Sequence, residues 1–483
     1  MFDVPLMIDN EARGASSGAS FTRIDPLTNA QASKAAAATQ ADARAAASAA
    51  AAAFPAWSRT GPTERRMLLL KAADLLEART PDFIARMTSE TGATKIWAGF
   101  NVHLAAQMLR EAAAMTTQIA GEVIPSDVPG SFAMSIRQPV GVVLAIAPWN
   151  APVILAVRSI AMPLACGNTV VLKASELCPA THHLIGAVLK EAGFPAGVVN
   201  IITNAPDDAH EIVEALIAHP AVRRVNFTGS TRVGRIIAQT AAPYLKPVLL
   251  ELGGKAPLIV LDDADLDAAV EAAAFGAFMN QGQICMSTER LVVDEKVADA
   301  FVVRLAAKAS RLPAGDPAKG DVVIGSLVNA EAVKRIAALL EDAKAKGATI
   351  VAGGGIEGTV MQATVLDHVD SSMRVYGEES FGPLVSVVRV DGEDEAVRVA
   401  NDTEYGLSAA VFSRDIGRAM AVAARIESGI CHINGPTVHD EAQMPFGGVK
   451  ASGYGRFGGK AAIHEFTELR WITVQNGPRH YPF

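Results

Sequence analysis

Short apolar runs alternate with longer helix-forming stretches through the middle of this chain. Runs typical of buried strands occur at 140–147, 169–172, 198–202 and 222–227, with another ending at residue 251. Helix-forming stretches lie between them at 152–167, 179–192 and 207–218, and from residue 232. Strands that alternate with helices in this way predict an α/β fold, with a parallel sheet covered by helices on both faces.

Both ends of the chain add elements to this pattern. Alanine-rich residues 34–56 and residues 62–77 predict helices, and more helices follow up to residue 117. Strands at 258–261 and 291–294, with a helix from Leu266 between them, predict a second α/β domain up to about residue 460. Residues 469–474 predict a strand, either in an arm that pairs with another subunit or at a sheet edge of the same chain.

Composition and charge narrow the class of protein. With 50% hydrophobic and 19% charged residues among 483, the chain can form sizeable cores, and its net charge of −8 disfavours a nucleic-acid partner. Its apolar runs are shorter than the roughly 18–20 residues that span a bilayer, and no secretory signal is visible at the start. Four sparse cysteines without a CxxC pair indicate a reducing compartment. We therefore expect a cytoplasmic protein with no membrane partner.

The loop Asn-Gln-Gly-Gln-Ile-Cys at 280–285 ends in a cysteine. Glycine allows such a loop to bring backbone close to a ligand, so Cys285 is a candidate nucleophile. The alternative is a buried cysteine that acts as a small apolar side chain. The other cysteines, Cys166, Cys178 and Cys431, lie away from any such loop and are predicted to be structural.

Two polar residues follow predicted strands, where open α/β sheets place their ligand chemistry. Glu251 follows an apolar run and precedes two glycines. Apolar surroundings raise the pKa of a carboxyl and suit it to general-base catalysis; the alternative is a solvated or helix-capping carboxylate. Asn150, in Pro-Trp-Asn at 148–150, is a candidate hydrogen-bond donor to a developing oxyanion. Its alternative is an ordinary turn or capping asparagine.

Two further segments are candidates for binding a nucleotide. Residues 227–234 lead from a strand through glycine and hydroxyl residues into a helix, which directs backbone N–H groups at a phosphate. The generic G-x-G-x-x-G pattern is absent there. Lys173 and Glu176 end an earlier strand, where a lysine suits phosphate or ribose and a glutamate suits ribose hydroxyls. The alternative for this pair is a solvated surface ion pair.

Together these segments resemble the aldehyde dehydrogenase superfamily over nearly the whole chain. Its motifs occur here in the family's order: Pro-Trp-Asn (148–150), Lys-x-x-Glu (173–176), Phe-Thr-Gly-Ser (227–230), Glu-Leu-Gly-Gly-Lys (251–255), Gly-Gln-x-Cys (282–285), Glu-Ser-Phe-Gly-Pro (379–383) and Pro-Phe-Gly-Gly-x-Lys (445–450). The resemblance implies two Rossmann-like parallel-sheet domains plus a β-arm for oligomerisation. We expect an NAD-binding domain (1–117 and 141–252), a catalytic domain (253–460) and an arm (118–140 and 461–483), in a homodimer or homotetramer.

The resemblance also implies roles for individual residues. Cys285 is the expected nucleophile, Glu251 the general base, and Asn150 the oxyanion donor together with the Cys285 backbone N–H. The expected cofactor contacts are Pro148, Trp149, Lys173, Ser175, Glu176, Gly229, Ser230, Gly234, Leu252, Glu379 and Phe381. Among them, Lys173 and Glu176 would bind the adenine ribose and Ser230 the pyrophosphate. Glu379 would bind the nicotinamide ribose, and Phe381 would pack on the nicotinamide.

NAD is expected rather than NADP, because the Glu176 carboxylate repels a ribose 2′-phosphate. The positive charge of Lys173 partly offsets this repulsion. No metal is needed for the implied chemistry, and the sequence shows no metal-ligand cluster.

Apolar and charged residues near the catalytic motifs predict a substrate pocket. The candidates are Trp97, Phe100, Arg158, Met279, Ile284, Met286 and Phe446. For the apolar residues the alternative is core packing. For Arg158 it is a salt bridge within the fold or across a subunit interface, since a buried charge needs a partner.

Residues 433–441 and 476–482 make the chain especially similar to bacterial dehydrogenases of aromatic aldehydes, the vanillin and salicylaldehyde type. This implies oxidation of a hydroxylated benzaldehyde to its acid through a thiohemiacetal and a thioester, with Arg158 near the ring hydroxyl or methoxy group. The closest alternative is an aliphatic or semialdehyde dehydrogenase on the same scaffold. A CoA-acylating variant, a thiol esterase and a non-catalytic relative are further alternatives.

Overall fold

The computed structural model describes residues 1–483. The strands up to residue 251 are β1 (Phe2–Val4), β2 (Leu6–Ile8), β3 (Glu11–Arg13), β4 (Ser20–Ile24), β5 (Gln31–Ala36), β6 (Glu122–Ile124), β7 (Ser131–Pro139), β8 (Val142–Ile146), β9 (Thr169–Lys173), β10 (Val199–Ile202), β11 (Val222–Thr228) and β12 (Val248–Glu251). The helices of this part are α1 (Gln40–Trp57), α2 (Pro62–Ala78), α3 (Thr80–Thr91), α4 (Lys95–Met115), α5 (Pro152–Ala165), α6 (Pro179–Ala192), α7 (Ala209–Ala218) and α8 (Thr231–Ala241).

The remaining chain continues with strands and helices in alternation. Its strands are β13 (Ala256–Val260), β14 (Thr288–Asp294), β15 (Thr349–Ala352), β16 (Ile356–Glu357), β17 (Val360–Met361), β18 (Thr364–Asp367), β19 (Leu384–Val390), β20 (Ser408–Phe412), β21 (Ile430–Ile433), β22 (Gly453–Tyr454) and β23 (Thr467–Gln475). Its helices are α9 (Leu266–Phe278), α10 (Glu295–Ala309), α11 (Ala330–Ala345), α12 (Arg374–Gly377), α13 (Gly392–Asn401), α14 (Ile416–Ala423) and α15 (Gly459–Glu465).

The apolar runs between 140 and 251 form the centre of an eight-stranded sheet with the order β22-β12-β11-β8-β9-β10-β2-β3. Strands β8 to β12 are parallel, and the register pairs Ile146 with Lys173 and Thr228 with Glu251. The carboxyl ends of β8, β9, β11 and β12 therefore meet at one edge of the sheet. The segments that follow these strands come together there, as open α/β sheets place their ligand sites.

The second sheet has seven strands in the order β15-β18-β19-β14-β13-β20-β21. All of its neighbouring pairs are parallel except β15 with β18. Two buried apolar clusters cover its faces, one with α9 and α10 and the other with α11 and α13. The predicted α/β fold with two parallel-stranded sheets is confirmed.

A third sheet, β23-β7-β6, joins the C-terminal strand to residues 122–139. Strand β23 pairs antiparallel with β7 from Thr467 opposite Pro139 to Gln475 opposite Ser131. The predicted strand at 469–474 therefore pairs within its own chain. Its outer edge has no partner strand, and Trp471 on it is 78% exposed.

The predicted helix 34–56 is wrong at its start. Residues 31–36 form β5, which pairs with β1 and β4, and the helix begins only at Gln40. Thr39 caps this helix in a capping box with Asp42, which satisfies backbone donors that the first turn leaves free. Alanine's helix propensity is a weak preference of a few tenths of a kcal/mol, so sheet pairing and the cap set the boundary.

The segment 1–30 also contains strands that its mixed polar composition did not predict. Conversely, β22 lies inside the range expected for the catalytic domain, yet it pairs with β12 of the first sheet. None of the helices combines the length and the apolar character needed to cross a bilayer.

Candidate active site

Cys285 lies on a tight loop between α9 and β14. Asn280, Gln281 and Gly282 all have positive φ values, of 49°, 56° and 68°. A Cβ atom at Gly282 would lie 2.1 Å from the carbonyl oxygen of Gly382, so only glycine fits there. The fold therefore holds the loop in a backbone conformation that is costly for side chains other than glycine or asparagine.

The two glutamines of this loop attach it to residues 325–328. Gln281 donates to the carbonyl of Ser326 (3.0 Å) and accepts from the Gly325 N–H (3.0 Å). Gln283 accepts a hydrogen bond from the Val328 N–H, also at 3.0 Å. Because both amides are buried and paired, the backbone that leads to Cys285 has little freedom.

Glu251 ends β12 beside Cys285 and is 1% exposed. Gly254 allows this proximity, because a Cβ atom there would lie 2.4 Å from the Cys285 carbonyl oxygen. Neither carboxylate oxygen of Glu251 has a hydrogen-bond partner of good geometry. Burial raises the pKa of Glu251 to about 7, against the opposing effects of Arg158 and the Cys285 thiol. A carboxyl with this pKa can take up or release a proton at neutral pH.

The surroundings of Cys285 favour the thiol over the thiolate. Burial and then the charge of Glu251 raise its pKa well above the usual range, while Arg158 lowers it. A neighbouring base is therefore needed when the sulfur acts as a nucleophile. The other cysteines lie away from this site: Cys166 and Cys178 are buried, and Cys431 is half-buried in β21.

Asn150 follows β8 and is held from three sides. Its Nδ2 donates to the carbonyl of Gln283 at 2.9 Å. The backbone carbonyl of Asn150 accepts hydrogen bonds from Trp97 Nε1 (2.9 Å) and from Asn280 Nδ2 (3.0 Å). Since an amide has two N–H groups, one remains for a ligand beside Cys285.

Trp97 is thus part of the support of Asn150, a function that the sequence did not reveal. Its ring is buried and stacks on Phe100 with a centroid distance of 5.5 Å, while Phe100 is 42% exposed. Ile284, Met286 and Phe446 belong to the same buried cluster as Trp97, and Met279 packs against it. Contact of these side chains with a substrate stays a prediction.

Two adjoining cavities lead along the sheet edge to Cys285. One, of about 400 Å³, is lined by the predicted residues Pro148, Trp149, Asn150, Gly229, Ser230, Glu251, Leu252, Cys285, Glu379 and Phe381. The other, of about 530 Å³, is lined by Lys173, Ser175 and Glu176 and shares Pro148, Trp149, Gly229 and Ser230 with the first. The shared residues join the cavities into one groove that runs from Lys173 to Cys285.

Gly234 is the one predicted cofactor residue outside this groove. A Cβ atom there would lie 2.5 Å from Leu252 Cδ2, so Gly234 allows α8 to pack on Leu252. Ser230 caps α8 and directs the positive end of the helix into the groove. Arg335, which the sequence did not single out, also lines the groove and donates to the Glu379 carbonyl at 2.9 Å.

The segment 379–381 closes the Cys285 end of the groove. Glu379 accepts a hydrogen bond from the Gly254 N–H at 2.9 Å. Burial and the nearby charge of Glu289 raise the pKa of Glu379 to about 7. Phe381 has a φ of 46° and lies edge-on to Trp149, with 5.8 Å between ring centroids.

Lys173 and Glu176 form an ion pair at the far end of the groove. The lysine is buried, and Glu176 also accepts a hydrogen bond from Asn204 at 2.9 Å. The alternative of a solvated surface pair is therefore wrong. Both side chains of the pair line the wall of the groove, where a ligand can contact them.

Arg158 forms a buried ion pair with Asp440, and its guanidinium carbon lies 4.1 Å from the centre of the Phe446 ring. The salt bridge within the fold, which was the structural alternative for Arg158, is present. Both residues also line a small cavity with Met108, Glu111 and Met444. One carboxylate oxygen of Asp440 is buried without a hydrogen-bond partner. This oxygen can therefore accept a hydrogen bond from a ligand.

Comparison with known proteins agrees with this geometry. Residues 13–472 match the aldehyde dehydrogenase family. The chain is 68% identical over 482 residues to a vanillin dehydrogenase of Pseudomonas fluorescens, with 100% of both chains covered. It is 56% identical to a salicylaldehyde dehydrogenase of Pseudomonas putida, with 99% of both covered.

A crystal structure of a salicylaldehyde dehydrogenase from Pseudomonas putida G7 complexed with salicylaldehyde superimposes with a TM-score of 0.99, at 55% identity and full coverage of both chains. The chain therefore belongs to the aldehyde dehydrogenase family.

Proposed function

We propose that this enzyme oxidises a hydroxylated aromatic aldehyde to its carboxylic acid with NAD, through a thiohemiacetal and a thioester on Cys285. The observation that carries the proposal is one cavity that contains a thiol, a carboxyl with a pKa of about 7 and a supported amide donor. The aldehyde dehydrogenase family uses a nicotinamide cofactor. The groove fits such a cofactor, with a helix N-terminus at its middle and polar groups at both ends.

The first step is addition of the Cys285 sulfur to the aldehyde carbon. The thiol proton leaves as the C–S bond forms, and ionised Glu251 beside it is the acceptor. The carbonyl oxygen becomes an oxyanion, which the free N–H of Asn150 and the backbone N–H of Cys285 stabilise. Such donors are typically worth about 3–4 kcal/mol in the transition state.

The tetrahedral carbon then loses its C–H bond as the carbonyl re-forms, which leaves a thioester. When bound, the oxidised nicotinamide supplies the two-electron acceptor for that bond. Glu379 and Phe381, at this end of the groove, would hold the nicotinamide half, while Lys173 and Glu176 would hold the adenosine half. Ser230 at the start of α8 would meet the pyrophosphate.

Hydrolysis of the thioester completes the reaction. Glu251 first releases the thiol proton to solvent and, again ionised, takes a proton from water as the water oxygen attacks the acyl carbon. The C–S bond then breaks, the acid leaves, and Glu251 returns its proton to the sulfur of Cys285. The presence of this base favours hydrolysis over acyl transfer to CoA.

NAD is favoured by the position of Glu176. Its carboxylate lies in the groove next to Lys173, where a ribose 2′-phosphate would meet it. Like charges at close range repel, and burial strengthens the repulsion. The lysine offsets part of it.

The aromatic substrate is supported by the relatives named for vanillin and salicylaldehyde. Arg158 and the unpartnered oxygen of Asp440 supply a donor and an acceptor, which a ring hydroxyl can use together. The domain division given above and a homodimer or homotetramer joined through the β23–β7–β6 arm are parts of the same proposal.

The test is NADH absorbance with purified enzyme, NAD and vanillin, salicylaldehyde, benzaldehyde, acetaldehyde or succinic semialdehyde. Cys285→Ala should be inactive. The matched control is Cys431→Ala, which removes a half-buried cysteine in β21. Highest kcat/KM values for hydroxylated benzaldehydes are expected. Preference for acetaldehyde or the semialdehyde would overturn the substrate proposal and leave the chemistry. Ester hydrolysis without any NAD reduction would indicate the thiol esterase.

A further inference from the structure

A buried ion pair that the proposed mechanism does not use lies beneath the 379–381 segment. Lys255 precedes β13 and Glu289 belongs to β14, and their side chains are 0% and 4% exposed. The Lys255 Nζ lies 2.5 Å from Glu289 Oε2 and also donates to Ser380 Oγ at 3.2 Å. Neither side chain lines the groove that leads to Cys285.

Glu289 accepts hydrogen bonds from two consecutive backbone amides. The Ser380 N–H lies 2.9 and 2.7 Å from its two oxygens, and the Phe381 N–H lies 3.0 Å from Oε1. Successive N–H groups that converge on one anion form a nest, which requires an unusual backbone conformation. Phe381 has this conformation, with a φ of 46°.

A positive φ is unfavourable for a phenylalanine, so the surrounding structure must hold it. The charge-assisted bonds to Glu289 supply that hold, because hydrogen bonds to an ionised acceptor are stronger than neutral ones. Lys255 in turn neutralises Glu289, since an unpaired charge at this depth would be strongly unfavourable.

The same segment carries both residues proposed for the nicotinamide half of the site. Glu379 is the residue before the nest, and Phe381 is part of it. Glu379 also accepts from the N–H of Gly254, the neighbour of Lys255. The segment 379–381 is therefore held in two ways. Glu289 and Lys255 bind Ser380 and Phe381 directly, and the backbone N–H next to Lys255 binds Glu379.

We infer that Lys255 and Glu289 are positioning residues for the nicotinamide half of the cofactor site: they hold Glu379 and Phe381 in their binding conformation. This inference rests on the proposed function. The adenosine half, at Lys173 and Glu176, lies at the other end of the groove and has no contact with the pair. The two halves of the cofactor should therefore respond differently when the pair is changed.

The experiment measures binding of NADH and of ADP to Glu289→Gln and Glu289→Asp by calorimetry. ADP has the adenosine and pyrophosphate groups but no nicotinamide ribose. We expect the Kd for NADH to rise at least about tenfold, with the Kd for ADP unchanged. Glu289→Asp keeps the charge and serves as the milder variant if Glu289→Gln does not fold. Lys255→Met should weaken NADH binding as Glu289→Gln does. Lys255→Arg, which keeps the positive charge, should bind NADH more tightly than Lys255→Met.

Two further measurements separate positioning from a general structural role. Ester hydrolysis by Cys285 without cofactor should persist in the variants, because Glu251 and Asn150 keep their supports. Lys296→Met, which breaks the exposed ion pair between α10 and Asp262, is the matched control and should change neither Kd.

Unchanged NADH affinity in Glu289→Gln would overturn the inference. An equal loss of ADP binding and of ester hydrolysis would also overturn it, since the pair would then support the whole fold. If the wild-type enzyme itself fails to bind NADH, the proposed function fails instead, and the two failures are distinct.

Discussion

The side-chain amide of Asn150 donates a hydrogen bond to the backbone carbonyl of Gln283, with 2.9 Å between the atoms. These residues are 133 positions apart, yet the bond joins the turn after β8 to the loop of Cys285. It leaves the second N–H of the Asn150 amide free for a ligand in the cavity that Asn150 and Cys285 both line. The proposed oxyanion donor is therefore tied to the loop that carries the proposed nucleophile.

Replacing Asn150 by alanine should lower kcat by about 10²–10³. The loss arises because the oxyanion forms only as the reaction proceeds, so substrate and NADH affinities should change little. Steady-state kinetics and NADH titration measure both quantities. A higher KM with unchanged kcat would show that Asn150 serves ground-state binding instead.

Glu251→Gln should slow NADH formation from the first turnover and give no burst. The variant lacks both the acceptor for the Cys285 thiol proton and the base for thioester hydrolysis, so the rate should fall by about 10²–10⁴. Rapid-mixing absorbance measures the first turnover, and a burst of about one NADH per active site would show that another group accepts the thiol proton. Glu378→Gln, which removes an exposed carboxylate paired with Arg374, is the control and should behave like wild type.

The wild-type kcat should rise with pH and level off above about 7. Burial raises the pKa of Glu251 to about 7, so the carboxyl is protonated and inactive as a base below this pH. Below it, kcat should fall tenfold per pH unit where hydrolysis limits turnover. Rates between pH 5.5 and 9 test this. Persistence of the same inflection in Glu251→Gln would assign it to another group.

Glu176→Gln should shift cofactor preference toward NADP by about tenfold or more in kcat/KM, which corresponds to about 1.4 kcal/mol. The change removes a negative charge next to the expected 2′-phosphate and frees Lys173 to meet it. Kinetics with both cofactors measure the shift. Glu214→Gln, an exposed residue at the rim of the same cavity, should leave the ratio unchanged.

The double variant Arg158→Met with Asp440→Asn should lose selectivity for hydroxylated rings. We expect the ratio of kcat/KM for vanillin over benzaldehyde to fall about tenfold, because one polar contact in a buried site is worth about 1–3 kcal/mol. Both residues are changed together, since Arg158→Met alone leaves a buried, unpaired Asp440. An unchanged ratio would restrict the pair to a structural role.

Gly282→Ala should abolish activity and lower the Tm. Its φ is 68°, and the added Cβ would lie 2.1 Å from the Gly382 carbonyl oxygen, so the Cys285 loop must move. Gly347→Ala is the matched control, with a φ of 103° and no atom within 4 Å of the added Cβ. The control should lose only about 1–2 kcal/mol from backbone strain and keep its activity.

Several features of this protein follow from local sequence. The spacing of apolar runs predicts the alternating strands and helices of both sheets, because burial in an α/β sheet imposes that pattern on the residues themselves. The places of Asn150, Lys173 and Glu251 at strand ends follow as well, since parallel strands bring their carboxyl ends to one edge.

Tertiary structure decided how these groups are supported. The bond of Trp97 to the Asn150 carbonyl, the ion pair of Arg158 with Asp440, and the contacts of Glu289 with the 380–381 amides join residues far apart in the chain. No local periodicity encodes such pairs, because they depend on how loops from different elements meet. The start of α1 at Gln40 has the same origin: pairing of β5 with distant strands outweighs the helix propensity of its alanines.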